Sequence, residues 1–325
     1  MKSISLILSI LFFQTIAFAQ KADTLVKKLD SLSKKTGRDG FQNNNTAPGA
    51  YNDRTKITSS SYSVLLWSDY KQQVSAPLHI NGNEWKKVGG FAALTGVLAL
   101  ADKPIQKTAL RWKNNNQGLS NISKFVTNTG GIYESATLAA FGAYGFLFKN
   151  EKMKTTTFLA SQAYLTGAGM AYILKTLSGR QRPSYYNANA VEANPTFRGP
   201  FGDVGKDANG KKLNSSFPSG HTVVAFSAAT VYAMEYKDKP IVPIIAYSAA
   251  SLIGLSRITE NKHWATDVLV GAALGHLSGR QVVNNYHRYA KIKSTPKPIK
   301  PKRKKISYNV GYWDGSVMAG LKYAP

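Results

Sequence analysis

Six segments rich in Ala, Gly, Leu and Val, each bounded by charged or turn residues, constrain the fold of this chain more than any other feature. Each is long enough to form a buried helix, and none alternates β-branched and polar residues as a half-buried strand does. The sequence therefore predicts an all-α fold, a helical bundle of about six core helices. The segments are Val88–Ala101, Ser135–Phe148, Thr155–Leu174, Thr222–Met234, Pro240–Leu255 and Val268–Gly279.

The composition excludes several classes of protein. With 325 residues, of which 43% are apolar and 18% charged, the chain can bury a sizeable core and is not a disordered protein. It has no cysteine, which excludes disulfide frameworks, thiolate nucleophiles and cysteine-ligated metals. Its 42 basic and 17 acidic residues give a net charge of +25, which indicates an anionic partner: nucleic acid, a phosphorylated ligand or an acidic membrane surface.

The N-terminus indicates the compartment. Lys2 precedes an apolar run from Ile4 to Phe13, and Ala17-Phe18-Ala19 follows as a small-x-small cleavage site. This pattern predicts a secretory signal peptide over residues 1–19, and the run is short for the alternative, a first transmembrane helix. Because an exported chain does not meet nucleic acid, the predicted partners are a phosphorylated ligand and an anionic membrane surface.

The remaining chain divides by composition. Residues 20–84 are predicted to form a polar leader with possible short helices, and residues 85–287 hold the six apolar segments. Residues 288–305 carry nine Lys or Arg and no acid, which predicts a basic linker. Residues 306–325 alternate apolar and polar side chains around Asp314-Gly315, which predicts a β-hairpin.

One connection within the helical domain is unusually long. Ser184–Phe217 contains 34 residues rich in Asn, Gly and Pro, whereas most connections have about 4–6. Such a loop is either a lid or substrate selector, or a floppy insertion.

Three cationic side chains lie at the ends of the apolar segments. Lys175 and Arg182-Pro183 follow the third segment, and Arg257 closes the fifth. Fixed cations suit a phosphate dianion, because each arginine can bind two oxygens. Taken alone, Arg182-Pro183 could equally well just end a helix.

The tetrapeptide Pro218-Ser219-Gly220-His221 opens the fourth segment. Ser219 offers a hydroxyl cap, and the free amides and dipole of a helix N-terminus favour an anion. Gly220 lets the backbone approach a ligand closely. His221 supplies an imidazole available as a general acid. An ordinary turn with an N-cap is the alternative.

His263 and Asp267 begin the sixth segment four residues apart and therefore share one helix face. Asp267 can accept a hydrogen bond from one imidazole nitrogen and leave the other free as a base or nucleophile. The pair could instead be a surface ion pair of little energetic value. A metal site that adds Glu260 is a weak alternative without supporting spacing. Together, two histidines, a carboxylate and three cations form a phosphoryl-transfer site that needs no metal.

These motifs resemble the three signatures of the type 2 phosphatidic acid phosphatases, whose superfamily also contains bacterial class A acid phosphatases and vanadium haloperoxidases. The resemblance covers residues 85–287. It implies that His263 is the nucleophile and forms a phosphohistidine, that Asp267 orients it, and that His221 protonates the leaving alcohol. It also implies that no cofactor is needed, because the phosphoryl oxygens are held by Lys175, Arg182, Ser219, Gly220 and Arg257.

The sequence thus predicts a metal-independent phosphatase of the cell envelope that acts on a phosphate monoester or diphosphate of a lipid. A soluble periplasmic acid phosphatase acting on small esters is the nearest alternative. A vanadium haloperoxidase and a non-enzymatic envelope protein are the others. The chain is short for a haloperoxidase, and intact catalytic residues argue against a non-enzymatic role.

The lengths of the apolar segments indicate whether the helices can span a membrane. A span needs about 20 predominantly apolar residues, and the one charge-free stretch that long, between Lys154 and Lys175, begins with three threonines. The lengths therefore favour buried helices of a compact bundle. We expect an exported domain that is attached to a membrane, with its site facing the periplasm, and that does not thread the bilayer six times.

Overall fold

The computed structural model describes residues 24–32, 42–206, 210, 213–295 and 305–324. Across these residues, the fold is helical with one two-stranded antiparallel sheet, which confirms the predicted all-α bundle with a C-terminal hairpin. The helices are α1 (residues 24–32), α2 (Ser59–Ser75), α3 (Gly82–Leu100), α4 (Asp102–Asn115), α5 (Gln117–Leu147), α6 (Glu151–Ser178), α7 (Gly220–Glu235), α8 (Ile241–Thr259) and α9 (Ala265–Ser294), and the strands are β1 (Lys305–Trp313) and β2 (Ser316–Ala324).

All six predicted apolar segments coincide with helices to within one residue, but most of these helices extend well beyond them. Polar caps explain several of the starts: Asn81, Asn116 and Asn150 each accept a hydrogen bond from a backbone amide of the first turn that follows. The short helix α4 was not predicted, because its sequence is mostly polar. It begins at Asp102, which lies beside the functional site described below.

Helices α6, α7 and α9 form the centre of the bundle, and α7 and α9 approach most closely. A Cβ atom added at Gly275 would lie 2.3 Å from the carbonyl oxygen of Val223, and one at Gly271 would lie 2.9 Å from that of Ser219. Only glycine permits this separation, as is usual where two helix backbones come together. The close crossing fixes the start of α7 against the first turns of α9.

The leader contributes to the core rather than standing apart from it. Three of its residues are buried in the main hydrophobic cluster: Leu29 of α1, Leu65 of α2, and Tyr51 from the segment between these helices. They pack there with Leu159 of α6 and Val282 of α9. The predicted short helices are present, and their apolar side chains cover the half of the bundle that lies away from the start of α9.

The long connection after α6 packs against the bundle in its described part. Val191 and Ala193 are buried against Trp264, and the side-chain amide of Asn261 donates to the carbonyl oxygens of Ala188 and Ala190 at 3.1 and 3.0 Å. The part of this connection around Ala188–Ala193 is therefore packed against the bundle and is not a floppy insertion.

The C-terminal region departs from prediction at one boundary. Helix α9 continues to Ser294, so the predicted basic linker at 288–305 begins as helix, and residues 296–304 lie outside the described residues. The hairpin forms as predicted, with Tyr312 opposite Val317 across the turn at Asp314-Gly315. The predicted signal peptide also lies outside the described residues and stays a prediction.

The outer helices expose much of their apolar surface, although the sequence predicted that it would be buried. Helix α3 has no buried residue. Among the described residues, one helix, α8, is long and apolar enough to cross a membrane, and α3 with α4, bent by 58°, passes the same test as a pair. The prediction that these helices are buried was wrong, because the length and composition of a helix do not show how many other helices pack against it. On α8 the exposed apolar residues are Ile241, Ile244, Ile245, Leu252 and Leu255.

Candidate active site

The three sequence motifs meet at one end of the bundle. Helix α6 ends there at Ser178, α7 begins at Gly220, α8 ends at Thr259 and α9 begins at Ala265. Because these four helices run alternately up and down, motifs far apart in sequence come together at the same end.

Two of the predicted cations are held by adjacent carbonyl groups. Lys175 donates from Nζ to the carbonyl oxygen of Ser215 at 2.7 Å, and Arg182 donates from Nε to that of Asn214 at 3.2 Å. A Cβ atom at Gly220 would lie 3.6 Å from Cε of Lys175, which brings this cation next to the start of α7. The arrangement positions both charges beside the helix N-terminus.

Arg257 lies in the last turn of α8 and is buried. Its carbonyl oxygen accepts hydrogen bonds from the backbone amides of Lys262 and His263 at 3.0 and 3.1 Å. Asn261, in the left-handed region with a φ of 55°, turns the chain between them. The same turn therefore fixes the third cation and the backbone of His263.

Ser219 occupies the N-cap position of α7, but its side chain does not cap the helix as predicted. Its Oγ instead accepts a hydrogen bond from the hydroxyl of Thr222 at 2.8 Å, and its backbone amide donates to the carbonyl oxygen of Asp267 at 3.0 Å. The first amides of α7, beginning with Gly220, have no intrahelical acceptor, as at any helix start. Such amides favour an anion, so anion binding at this end of α7 stays a prediction.

His263 is buried and has a defined tautomer. Its Nδ1 lies 2.7 Å from the carbonyl oxygen of Ser216. Because a carbonyl oxygen can only accept, Nδ1 carries the proton and Nε2 carries the free electron pair. His263 is therefore held as a neutral imidazole with a nucleophilic Nε2.

The predicted hydrogen bond between Asp267 and His263 is not formed. Oδ2 of Asp267 lies 3.7 Å from Nδ1 of His263. That oxygen instead accepts from Oγ of Ser216 at 2.5 Å and from the backbone amide of Trp264 at 2.8 Å. Helix α9 begins at Ala265, so His263 precedes the helix and the two residues do not share a helix face as predicted. The carboxylate of Asp267 instead caps the first turn of α9.

Two buried residues that contact the candidate site were not predicted from the sequence. Arg180 donates from Nη1 to Oδ1 of Asp267 at 2.5 Å and from Nη2 to Oδ2 of Asp102 at 2.6 Å. Arg180 lies in the unspecified stretch between Lys175 and Arg182, and Asp102 lies more than 70 residues earlier. The one sequence signal was an acidic residue at a helix start in a chain with few acids.

The clustered positive charge changes the titration of the site. Burial, followed by the charges of Arg257, Arg182 and Lys175, lowers the pKa of His221 to about 4. Burial, followed by the same three cations, also lowers the pKa of His263 well below its ordinary value. Both imidazoles are therefore neutral at neutral pH when the site holds no anion.

Lys175 is affected in the same sense. Burial, together with the neighbouring Arg182 and Arg257, lowers the pKa of its ammonium group to about 7, although Asp267 opposes this shift. A lysine whose pKa is lowered toward neutrality by neighbouring cations indicates a site with excess positive charge, which an anion can bind. A bound phosphate dianion would supply it.

The described residues contain no group of three or more His, Asp or Glu side chains arranged to hold a metal ion. The weak alternative that joined Glu260 to His263 and Asp267 is not assembled. Glu260 instead pairs with Lys113 at 2.8 Å and accepts a hydrogen bond from Ser123 at 2.8 Å.

Comparison with known proteins gives two curated relatives. A lipid A 1-phosphatase of Porphyromonas gingivalis is 50% identical over 66 residues, which are 20% of this chain and 15% of the relative. Lipid phosphate phosphatase 1 of Arabidopsis thaliana is 31% identical over 121 residues, which are 32% of this chain and 36% of the relative. The matched regions therefore span well under two thirds of either relative.

Two solved structures are similar to this chain. One, a transmembrane PAP2 type phosphatidylglycerolphosphate phosphatase from Bacillus subtilis, has a TM-score of 0.40 and 21% identity, and the match covers 69% of this chain and 92% of the other. The other, Aquifex aeolicus LpxE, has a TM-score of 0.37 and 26% identity, and the match covers 53% and 91%.

The family comparison agrees with the motifs and with their placement. The model of the PAP2 superfamily matches residues 151–290, from the first residue of α6 to a point near the end of α9. All eight predicted site residues lie inside this range. The helices that carry the site, α6 to α9, are therefore the part of the chain that matches the PAP2 superfamily.

Proposed function

We propose that this protein is a metal-independent phosphatase that hydrolyses a phosphate monoester or diphosphate of a lipid through a phosphohistidine on His263. The observation that carries the proposal is the state of His263. Its Nδ1 proton is held by the carbonyl oxygen of Ser216 at 2.7 Å. Three cations at the same end of the bundle can hold a phosphate group against the free Nε2.

The first half-reaction transfers the phosphoryl group to the protein. Nε2 of His263 attacks phosphorus, so an N–P bond forms while the bond from phosphorus to the ester oxygen breaks. Lys175, Arg182 and Arg257 balance the charge that develops on the other oxygens. His221 gives a proton to the leaving oxygen, which departs as an alcohol.

The second half-reaction returns the protein to its starting state. His221, now neutral, accepts a proton from water as the water oxygen attacks phosphorus and the N–P bond breaks. Because the pKa of His221 is about 4 without an anion, its role as an acid depends on the substrate. The dianion opposes the three cations and so favours the protonated imidazole.

Two observations support a lipid substrate at a membrane. The relatives in the comparison are named for lipid A and for lipid phosphate. The site also lies at one end of a bundle whose helices α3 and α8 expose apolar surface. An apolar face of this kind indicates a membrane or protein partner. We therefore propose that the protein is membrane-associated and exported, with its site on the outer side of the inner membrane.

Phosphate release from a panel of lipid and soluble esters, measured with and without chelator and vanadate, tests the proposal. We expect turnover of lipid phosphates in the presence of chelator, and inhibition by vanadate. His263→Ala should abolish release, whereas His79→Ala, which changes an exposed histidine in the loop between α2 and α3, should have no effect.

Each other outcome points to another function. Preference for small soluble esters would indicate an acid phosphatase, and halide oxidation dependent on vanadate would indicate a haloperoxidase. Loss of activity in chelator with recovery on adding a divalent ion would contradict the metal-independent mechanism. Retention of more than a few per cent of the rate by His263→Ala would contradict the phosphohistidine.

A further inference from the structure

Arg180 is buried beneath the site and uses all of its nitrogens inside the protein. Its side chain is 1% exposed and lies over the rings of Phe197 and Trp264, with its Cζ atom 4.7 and 5.9 Å from their centroids. Nη1 donates to Asp267 and to Oγ1 of Thr266, Nη2 donates to Asp102, and Nε donates to the carbonyl oxygen of Pro195 at 3.3 Å. Four of the five N–H donors of Arg180 are used in this way and the side chain is 1% exposed, so we do not count Arg180 among the cations that bind substrate.

Asp102 ties Arg180 to the first turn of α9. Its Oδ1 accepts from the backbone amide of Thr266 at 3.0 Å, and its Oδ2 accepts from the hydroxyl of Thr266 at 2.5 Å. Both Asp102 and Asp267 are fully buried. Removing one partner from a buried ion pair leaves an uncompensated charge, so these contacts hold Arg180 in one position.

Asp267 transmits this position to His263 through Ser216. Every contact described above for the carboxylate of Asp267 comes from a hydrogen-bond donor: Arg180, Ser216 and the amide of Trp264. Ser216 is fully buried and links Asp267 to His263. Its hydroxyl donates to the carboxylate of Asp267, and its carbonyl oxygen accepts from Nδ1 of His263. The carboxylate therefore acts on the imidazole through Ser216.

We propose that Arg180 is a positioning residue for the reaction, acting along the chain Asp102, Arg180, Asp267, Ser216 and His263. Arg180 fixes the carboxylate of Asp267, Asp267 fixes the hydroxyl of Ser216, and the carbonyl group of Ser216 fixes the tautomer and direction of His263. Without Arg180, Asp267 is drawn toward the cations of the phosphate site and releases Ser216. This inference rests on the proposed function.

The contribution of Arg180 should appear in kcat and not in KM, because it does not touch the phosphate. Arg180→Lys keeps the charge but cannot bridge Asp102 and Asp267, and Ser216→Ala removes only the hydroxyl. We expect each to lower kcat about 10- to 100-fold, the range for losing a hydrogen bond to a charged group. KM should stay within about twofold. Arg198→Lys, an exposed arginine in the same connection, serves as the matched control and should change neither constant.

The double variant separates positioning from a general loss of stability. Because Arg180→Lys and Ser216→Ala act on the same carboxylate, we expect the double variant to lose no more kcat than the worse single variant. Assays use the full-length protein with a soluble aryl phosphate, and thermal unfolding checks that each variant folds. If Arg180→Lys fails to fold, the comparison of Ser216→Ala with wild type carries the test.

Three results would overturn the inference: a folded Ser216→Ala or Arg180→Lys protein with wild-type kcat, losses confined to KM, or losses that multiply in the double variant. These results are distinct from failure of the proposed function, which is reported by activity that survives in His263→Ala. An inactive His263→Ala together with a fully active Ser216→Ala would remove this inference alone.

Discussion

Replacing Lys175 with arginine should remove a pH limb from the reaction. The pKa of Lys175 is lowered to about 7 by burial and by Arg182 and Arg257, so in the free enzyme its charge is lost as pH rises through neutrality. At pH 8, only roughly one tenth of the molecules carry the charge, and at pH 9 roughly one hundredth. If the charge is required to bind the phosphate dianion, kcat/KM should fall about tenfold per pH unit above 7, since this constant reports the free enzyme.

The assay measures kcat/KM between pH 6.5 and 9 with an aryl phosphate. The second pKa of a phosphate monoester is about 6, so the substrate is dianionic over this window. The guanidinium group introduced by Lys175→Arg would stay protonated throughout, because the ordinary arginine pKa exceeds about 12. We expect the limb to disappear in the variant, whatever its absolute rate.

Two outcomes would refute the reasoning about Lys175. A wild-type kcat/KM that is flat from pH 6.5 to 9 would show that the lysine does not lose its charge in this range or is not needed for binding. A limb of the same midpoint in Lys175→Arg would assign the titration to another group. The assay substrate is an activated aryl phosphate, whose leaving group needs no proton from His221. His263 stays neutral throughout this range, because its pKa is lowered, so neither histidine accounts for such a limb.

Three further predictions concern the leaving group, the helix crossing and the membrane. His221→Ala should lower kcat about 10²- to 10⁴-fold for an alkyl phosphate and far less for an activated aryl phosphate, whose leaving group needs no proton; equal losses would exclude His221 as the acid. Gly275→Ala should destabilise the fold by about 1–3 kcal/mol in denaturant unfolding, because its Cβ would meet the carbonyl oxygen of Val223. Gly96→Ala, at an open position of α3, is the matched control and should be neutral or stabilising. Alkaline carbonate extraction of washed membranes should leave the full-length chain in the pellet, because α3 and α8 expose apolar surface. Release of the chain into the supernatant would instead support peripheral attachment to the membrane.

That the candidate site residues lie at one end of the bundle could be predicted from sequence, because the prediction depends on residue types at helix ends. Lys175, Arg182 and Arg257 lie beside apolar segments, and so do His221 and His263. A polar residue next to an apolar helix marks the end of that helix whatever the surrounding fold. The alternating direction of successive helices then brings such ends together.

The partner of Asp267 could not be predicted in this way. A spacing of four residues predicts that Asp267 and His263 share a helix face. It does not show that α9 begins only at Ala265, or that the first turn of α9 and Ser216 both donate to the same carboxylate. Arg180 was missed for a related reason. A buried arginine and an exposed one look alike in sequence, because what distinguishes them is the presence of Asp102 and Asp267 on other helices.

The sequence by itself predicted the six apolar helices, the hairpin and the set of candidate phosphate-binding and proton-transferring groups, since these follow from local patterns within one segment. The tertiary structure decided which of these groups touch, which apolar faces remain exposed, and how the leader joins the core. Hydrogen bonds and burial depend on atoms that are distant in the chain. The orientation of His263 therefore depends on three elements that meet: α4, the connection between α6 and α7, and α9.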